Sequence, residues 1–219
     1  MTSSINAHTT FFYSQPEMYR FSHDSIFLAR EIFEKYRLEL SQPDFQILDL
    51  CAGCGVIGLD LLFHQLKEST FSGEVDFLEV QSIYQSYFDV NQKTLREFFP
   101  HQNLKLNWIQ KNYLHVNQPK KYDLIVANPP YFLMENGVLS DNEFKNRCRF
   151  FIDSNWLDLL FFIKNSLKEN GTAHILVRNE LKKLIEKENY FDLSLPYIEF
   201  ISQIRGTWHA KIKLIKIRN

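Results

Sequence analysis

The sequence predicts an α/β fold: a mostly parallel, seven-stranded sheet with an antiparallel last strand and helices on both faces. Three observations carry this. Beyond Pro43, short apolar runs of strand length alternate with longer runs of helical periodicity, which is the pattern of parallel strands joined by crossover helices. Three of the seven glycines, Gly53, Gly55 and Gly58, fall between the first such strand and its helix. Finally, "YIEFISQI" and "WHAKIKLIKI" are separated only by a short turn at Gly206. No crossover helix fits there, so these two strands pair antiparallel.

The elements follow in order. Residues 1–42 form an N-terminal extension and helix, and 43–219 the sheet-bearing core, within one domain spanning 1–219. "DSIFLAREIFEKYRLEL" reads as a helix, with Ser22 or Asp24 as cap and Ile26, Phe27, Ala29, Ile32, Phe33 and Tyr36 as its apolar face. "FQILDL" is a buried strand and "VIGLDLLFHQL" its helix. "EVDFLEV" is a strand, "QSIYQSYFDVNQKTLREFF" a helix and "LKLNWIQ" a strand. After an irregular segment, "YDLIVA" is a strand that stops at Pro129-Pro130. "NWLDLLFFIKNSLKEN" reads as a helix closed by Gly171 as C′ residue. "TAHILV" and "NELKKLIEKE" add a strand and a helix before the closing pair.

The composition excludes several classes. The chain is 219 residues long, 45% hydrophobic and 23% charged, so a sizeable core is available and global disorder is not expected. The formal net charge of −1 gives no overall basic field. Charge is nonetheless uneven: from Arg205 onward there are Arg205, Lys211, Lys213, Lys216 and Arg218, and no acid. This is either an edge strand protected by charge or a surface for phosphates. Three cysteines are too few for a secreted disulfide scaffold. No apolar run approaches the ~20 residues that span a bilayer, and "MTSSINAHTT" lacks signal-peptide character. The expectation is a cytoplasmic monomer, without membrane or metal.

The glycine loop, "LDLCAGCGVIGL", suits a ligand that approaches backbone, because glycine tolerates positive φ and the following helix presents free N–H groups. Glu79, at the end of the second strand, lies 24 residues beyond Gly55, near the offset of a ribose-binding acid. Together they point to a nucleoside cofactor at the carboxyl edge of the sheet. The CxxC formed by Cys51 and Cys54 has no second ligand pair for zinc. No Gly-Lys-Ser/Thr ending supports a P-loop. The spacing Gly53-x-Gly55-x-x-Gly58 fits the dinucleotide fingerprint formally.

"ANPPYF", residues 127–132, follows the strand "YDLIVA". Two prolines cannot continue a central strand, yet they hold an amide and an aromatic ring rigidly at its end. "DLCAGCG", Glu79 and "NPPY" together resemble class I S-adenosylmethionine-dependent methyltransferases that modify planar nitrogens, such as the N6 amine of adenine or the glutamine amide of release factors. "MYRFSHDSIFLAR" further resembles the N-terminal signature of the bacterial family that methylates adenine N6 in the anticodon loop of a valine tRNA. The resemblance runs from about Gln15 to Ile163.

The resemblance implies a Rossmann-like fold, S-adenosyl-L-methionine as cofactor and nucleic acid, tRNA first, as partner. It places the amine site at Asn128, Pro129, Pro130 and Tyr131. Asn128 and a nearby carbonyl would accept the amine N–H bonds, and Tyr131 would offer a stacking face. Tyr19, Arg20, Phe21, Ser22 and Asp24 would cover the methionine end of the cofactor. Asp49, Cys51, Ala52, Gly53 and Gly55 would form its loop, with Glu79 and Val80 at the ribose, Asn112 and Tyr113 at the adenine, and Asn128 shared. Phe132, Arg147, Arg149 and the basic last strand are candidates for an RNA platform. The chain departs from the family pattern at Met18, at Phe151 and at Asn112, where an acid commonly holds the adenine amine. Acceptors other than tRNA, namely a protein glutamine, another RNA or a small molecule, remain open, as does a binding module without catalysis.

Overall fold

The computed structural model of the chain describes residues 12–134, 137–187, 196–204 and 206–214. Seven strands, β1 (Gln46–Leu50), β2 (Glu74–Glu79), β3 (Lys105–Gln110), β4 (Tyr122–Ala127), β5 (Leu167–Arg178), β6 (Tyr197–Ile204) and β7 (Thr207–Lys213), form one sheet in the order β3-β2-β1-β4-β5-β7-β6. β1 to β5 pair in parallel, while β7 runs antiparallel to both β5 and β6. The six α-helices of the described residues are α1 (His23–Tyr36), α2 (Val56–Glu68), α3 (Tyr84–Phe98), α4 (Glu143–Arg149), α5 (Trp156–Ser166) and α6 (Asn179–Lys187).

The two-residue period of the strands sorts their side chains onto two faces. Ile47, Val75, Phe77, Leu124, Val126 and Leu176 pack with α1, α2 and α3. Leu48, Leu50, Leu78, Ile125, Ala127, Ile175 and Val177 pack with α5 and α6. The central strands therefore carry apolar side chains on both faces, as a sheet covered on both sides requires.

Most predicted elements appear within a few residues of their expected bounds, and β4 and β6 coincide with the runs read from the sequence. α1 stops at Tyr36, and a short 3-10 turn, Glu39–Ser41, takes up the rest of the predicted helix. α4 was not foreseen. The end of the last predicted strand lies outside the described residues, as do Arg205, Lys216 and Arg218 of the basic tail.

Gly171 requires a correction. α5 ends at Ser166 and the chain enters β5 at once, so Gly171 is a strand residue and not a helix C′. The β4–β5 register shifts there: Tyr122 pairs with Leu167 but Leu124 with Thr172, so Lys168–Gly171 of β5 lies opposite the single residue Asp123 of β4. A Cβ on Gly171 would sit 2.7 Å from the Tyr122 carbonyl oxygen. Glycine is needed for close backbone approach, which looks like a helix stop in sequence but is a strand irregularity in space.

Candidate active site

At the carboxyl edge of β1, the loop turns tightly. Cys51, Gly53 and Gly55 all have positive φ, at 58°, 54° and 81°. For Cys51 this left-handed conformation costs about 1–2 kcal/mol. It is held because Ala52 N–H donates to the Leu78 carbonyl at 3.1 Å and Gly55 N–H to the Ala52 carbonyl at 2.8 Å. A Cβ on Gly55 would lie 2.7 Å from the Phe88 ring, and one on Gly58 2.7 Å from Phe77. These glycines let α2 pack down on the aromatic layer beneath.

Two buried carboxylates support the loop. Asp49 Oδ2 accepts from Gly58 N–H at 2.8 Å, while Oδ1 is buried without a partner. Glu79 accepts from Gly53 N–H through Oε2 and from Gln81 N–H through Oε1, both at 2.9 Å. Burial pushes both carboxyls above their ordinary range, more than those backbone donors pull them down. Neither has a cationic side chain as partner among the described residues.

The N-terminal arm crosses over this loop. The buried Asn91 of α3 receives Ser14 N–H at 2.7 Å and donates to the carbonyls of Ser14 and Cys54, both at 3.0 Å. Phe21 N–H donates to Gln15 Oε1 at 3.0 Å. Asp24 accepts from Ser22 Oγ, from its neighbour Ser25 N–H at 3.0 Å and from Thr207 Oγ at 3.1 Å, which ties the arm and α1 to β7.

At the end of β4 the NPPY segment is latched from below. Tyr131 and Phe132 N–H both donate to the Arg149 carbonyl at 2.9 Å, and Phe151 N–H to the Phe132 carbonyl at 3.0 Å. Asn128 Nδ2 donates to Ser25 Oγ at 2.8 Å, which fixes the amide, and its Oδ1 accepts from the Tyr131 hydroxyl. Pro129 is buried, whereas Pro130 faces the cleft, and among the described residues no hydrogen bond reaches either proline carbonyl.

These parts enclose a two-lobed cleft. The first lobe, about 800 Å³ including space open to solvent, is lined by Tyr19, Phe21 and Ser22 of the arm, by Cys51–Cys54 and by Asn128, Pro130 and Tyr131. The second, about 430 Å³, lies between Lys111–Tyr113 and Phe150–Ser154. Cys51, Glu79, Val80, Pro130 and Arg147 line both, so Glu79 stands at the waist. Of the remaining expected residues, Asp49, Gly55 and Asp24 act behind the wall, through the bonds above. Arg20 is exposed and lines neither lobe.

One expected role changes in detail. Tyr131 is only 7% exposed, and the Arg178 guanidinium lies over its ring at 4.7 Å, so it offers no open stacking face. Asn112 lines the second lobe, where its Oδ1 accepts from Leu114 N–H at 2.9 Å and keeps a second lone pair, while its Nδ2 donates to the Asp153 carbonyl at 2.9 Å. Phe151, standing where the family pattern has an acid, is a buried wall of the same lobe. Ser25, Gln81, Tyr84 and Cys148 also line the first lobe and were not foreseen. Only Ser25 carried a signal, inside "YRFSHDS"; the others arrive through tertiary contacts.

A family model for the methyltransferase small domain matches residues 12–140. The chain belongs to that family. Two tRNA1(Val) (adenine(37)-N6)-methyltransferases are among its curated relatives. That of Haemophilus influenzae (strain PittGG) is 29% identical over 145 residues, 64% of this chain and 56% of the relative. That of Flavobacterium psychrophilum is 27% identical over 180 residues, 80% and 69%. The chain thus spans little more than half the length of the Haemophilus relative. Among solved structures, a Listeria monocytogenes protein described as a class I S-adenosylmethionine-dependent methyltransferase superposes with TM-score 0.61 at 13% identity, over 91% of this chain and 64% of that one. A Pyrococcus horikoshii protein described as an RNA methyltransferase gives 0.57 at 16% identity, over 97% and 96%. At such identities the superpositions establish the fold: the chain is a Rossmann-like methyltransferase domain.

S-adenosyl-L-methionine is the cofactor that this family and fold carry, and the cleft fits it. Its two lobes meet at a ribose-competent acid, and two buried carboxylates without cationic partners suit a ligand bearing positive charge. The thiols are poor alternatives for chemistry: burial pushes Cys54 up to about 12 and Cys148 to about 11. No group of three metal-ligating side chains is assembled among the described residues.

Proposed function

We propose that the chain transfers a methyl group from S-adenosyl-L-methionine to the N6 amine of an adenine in tRNA. The observation that carries the reading is the fixed amide of Asn128, held by Ser25 and Tyr131 in the wall of the first lobe, two residues before the unbonded Pro130 carbonyl. When bound, the cofactor supplies an electrophilic methyl on a sulfonium.

An aromatic amine is a poor nucleophile because its lone pair is delocalised. Asn128 Oδ1 has one lone pair on the Tyr131 hydroxyl and a second available to an amine N–H. The Pro130 carbonyl is a second acceptor of fixed direction. With both N–H groups bonded, the nitrogen pyramidalises and its lone pair turns to the methyl carbon. Were the amine to take the methyl group from the bound cofactor, positive charge would grow on nitrogen, and Asn128 Oδ1 and the Pro130 carbonyl would bind it more tightly. The added proton leaves afterwards to solvent, so no general base is needed. Tyr131 is a positioning residue that orients Asn128. Ser25 does the same from α1, which explains why the arm and helix that precede the sheet belong to the site.

The names of the relatives and the "YRFSHDS" segment favour tRNA over a glutamine amide. The test is an acceptor screen with radiolabelled cofactor against total tRNA, ribosomal RNA and release factors. Label in tRNA that digests to N6-methyladenosine is expected. Label in a protein, recovered as N-methylglutamine, would overturn the nucleic-acid reading.

A further inference from the structure

Three arginines gather around the NPPY segment, and they are not alike. Arg147 is neutralised: its guanidinium bonds Glu143 at 3.1 and 3.2 Å and Asp153 at 2.6 Å. Arg149 and Arg178 make no side-chain hydrogen bond or ion pair among the described residues. Arg149 lies over the rings of Phe132 and Phe150, at 5.5 and 5.4 Å, and Arg178 over that of Tyr131 at 4.7 Å. Arg178 is half-buried, and its Nε is buried without a partner.

Their placement follows from the fold. Arg149 ends α4, whose neighbouring Cys148 touches Gln81 and Tyr84 on the β2 side. Arg178 ends β5, and because Ala127 pairs with Ile175, β5 continues three residues beyond β4, alongside Asn128–Pro130. The two cations sit on different elements beside the segment, and both charges act on the Tyr19 hydroxyl, which lines the first lobe. A guanidinium fixed on a ring keeps its edge free, so its N–H fork is pre-oriented for an oxyanion. The basic last strand is a weaker candidate: Lys211 is 7% exposed, with its ammonium by Tyr36, and so faces the interior.

We propose that Arg149 and Arg178 form a clamp for backbone phosphates on the two sides of the adenine presented to Asn128. This rests on the nucleic-acid reading of the site. It assigns to these residues a preference for an adenine within a polynucleotide over the free base or a peptide amide. Phosphate contacts of this kind position the chain and carry no sequence information.

The test measures binding of an unmodified valine-tRNA transcript between about 50 and 200 mM salt, for the parent protein, Arg149→Gln, Arg178→Gln, the double variant and the corresponding lysine variants. Each phosphate contact in a single-stranded region contributes about 0.7 to the slope of log affinity against log salt. Each glutamine variant is expected to lower the slope by about that amount and the double variant by about twice it, with the lysine variants near the parent. Calorimetric affinity for S-adenosyl-L-methionine should stay unchanged in all, which separates the effect from misfolding. Unchanged slopes in the glutamine variants, with transcript still methylated, overturn the clamp and leave the tRNA reading standing. A parent protein that neither binds nor methylates RNA overturns both.

Discussion

Glu79→Gln tests whether this carboxylate binds the cofactor's ribose, with almost no change in shape. In the parent, two backbone donors, Gly53 N–H and Gln81 N–H, meet the two carboxylate oxygens at 2.9 Å. Glutamine has one acceptor oxygen, so one of those N–H groups must face an NH₂. Leaving a buried donor unsatisfied costs about 1–3 kcal/mol, and Gly53 lies in a turn already bent through three positive φ angles. The cofactor adds a second loss. A hydrogen bond to a charged group contributes about 1.5–3 kcal/mol, so losing one ribose contact to a carboxylate weakens affinity roughly 10- to 150-fold. Calorimetric titration with S-adenosyl-L-methionine and its demethylated product, together with urea midpoints, separates the two losses. The expected result is a modest drop in stability with a large, similar drop in affinity for both ligands. Affinities within about twofold of the parent would refute the placement of the ribose at Glu79, since even one weak neutral hydrogen bond exceeds that margin.

Further outcomes follow from the loop and from the buried histidines. Gly55→Ala meets both a positive φ of 81° and the Phe88 ring at 2.7 Å, whereas Gly206→Ala meets a φ of 91° and nothing within 4 Å. In urea unfolding the first is expected to lose about 2–4 kcal/mol and the second about 1–2, the difference being the ring contact; equal losses would show that Phe88 yields freely. His174 is fully buried, 2.9 Å from the Tyr36 hydroxyl and 2.6 Å from His209, which in turn meets Glu31 at 2.7 Å. Burial first, then His209 and the charges of Lys211, Lys35 and Lys213, hold its pKa well below the ordinary value. The unfolded chain therefore takes up a proton near pH ~6.5 that the folded one refuses. Stability is fully present above that pH and falls below it, by up to about 1.4 kcal/mol per pH unit for each such histidine. A urea midpoint that falls no more steeply from about pH 7.5 to 5.5 in the parent than in a His174→Gln variant would contradict a neutral, buried His174.

The sequence reveals elements where local chemistry and tertiary context agree. β4 was legible to the residue because its apolar run ends at two prolines, which act locally. Gly53, Gly55 and Glu79 stood out because positive φ and a carboxylate that accepts from the loop backbone impose residue type at fixed spacing. α4 escaped notice because it is only seven residues long and carries a polar run, EFKNRCR, with no clear apolar stripe. "SLKENG" was misread because a helix stop and a strand irregularity call for the same glycine. The contacts that complete the site, Ser25 to Asn128 and Asn91 to the arm and loop, join residues 103, 77 and 37 positions apart. Pattern along the chain marks Ser25 within "YRFSHDS" but not which residues these contacts join.

Asn128→Ala, assayed for single-turnover methyl transfer to tRNA alongside calorimetry, probes the amine site most directly. Loss of an acceptor that strengthens only as charge develops is expected to slow transfer by about 10²- to 10³-fold, with affinity for S-adenosyl-L-methionine within about threefold of the parent, because that loss falls on the transition state. Transfer within about tenfold of the parent, or a parallel loss of cofactor affinity, would contradict the assignment of Asn128 to the reacting nitrogen.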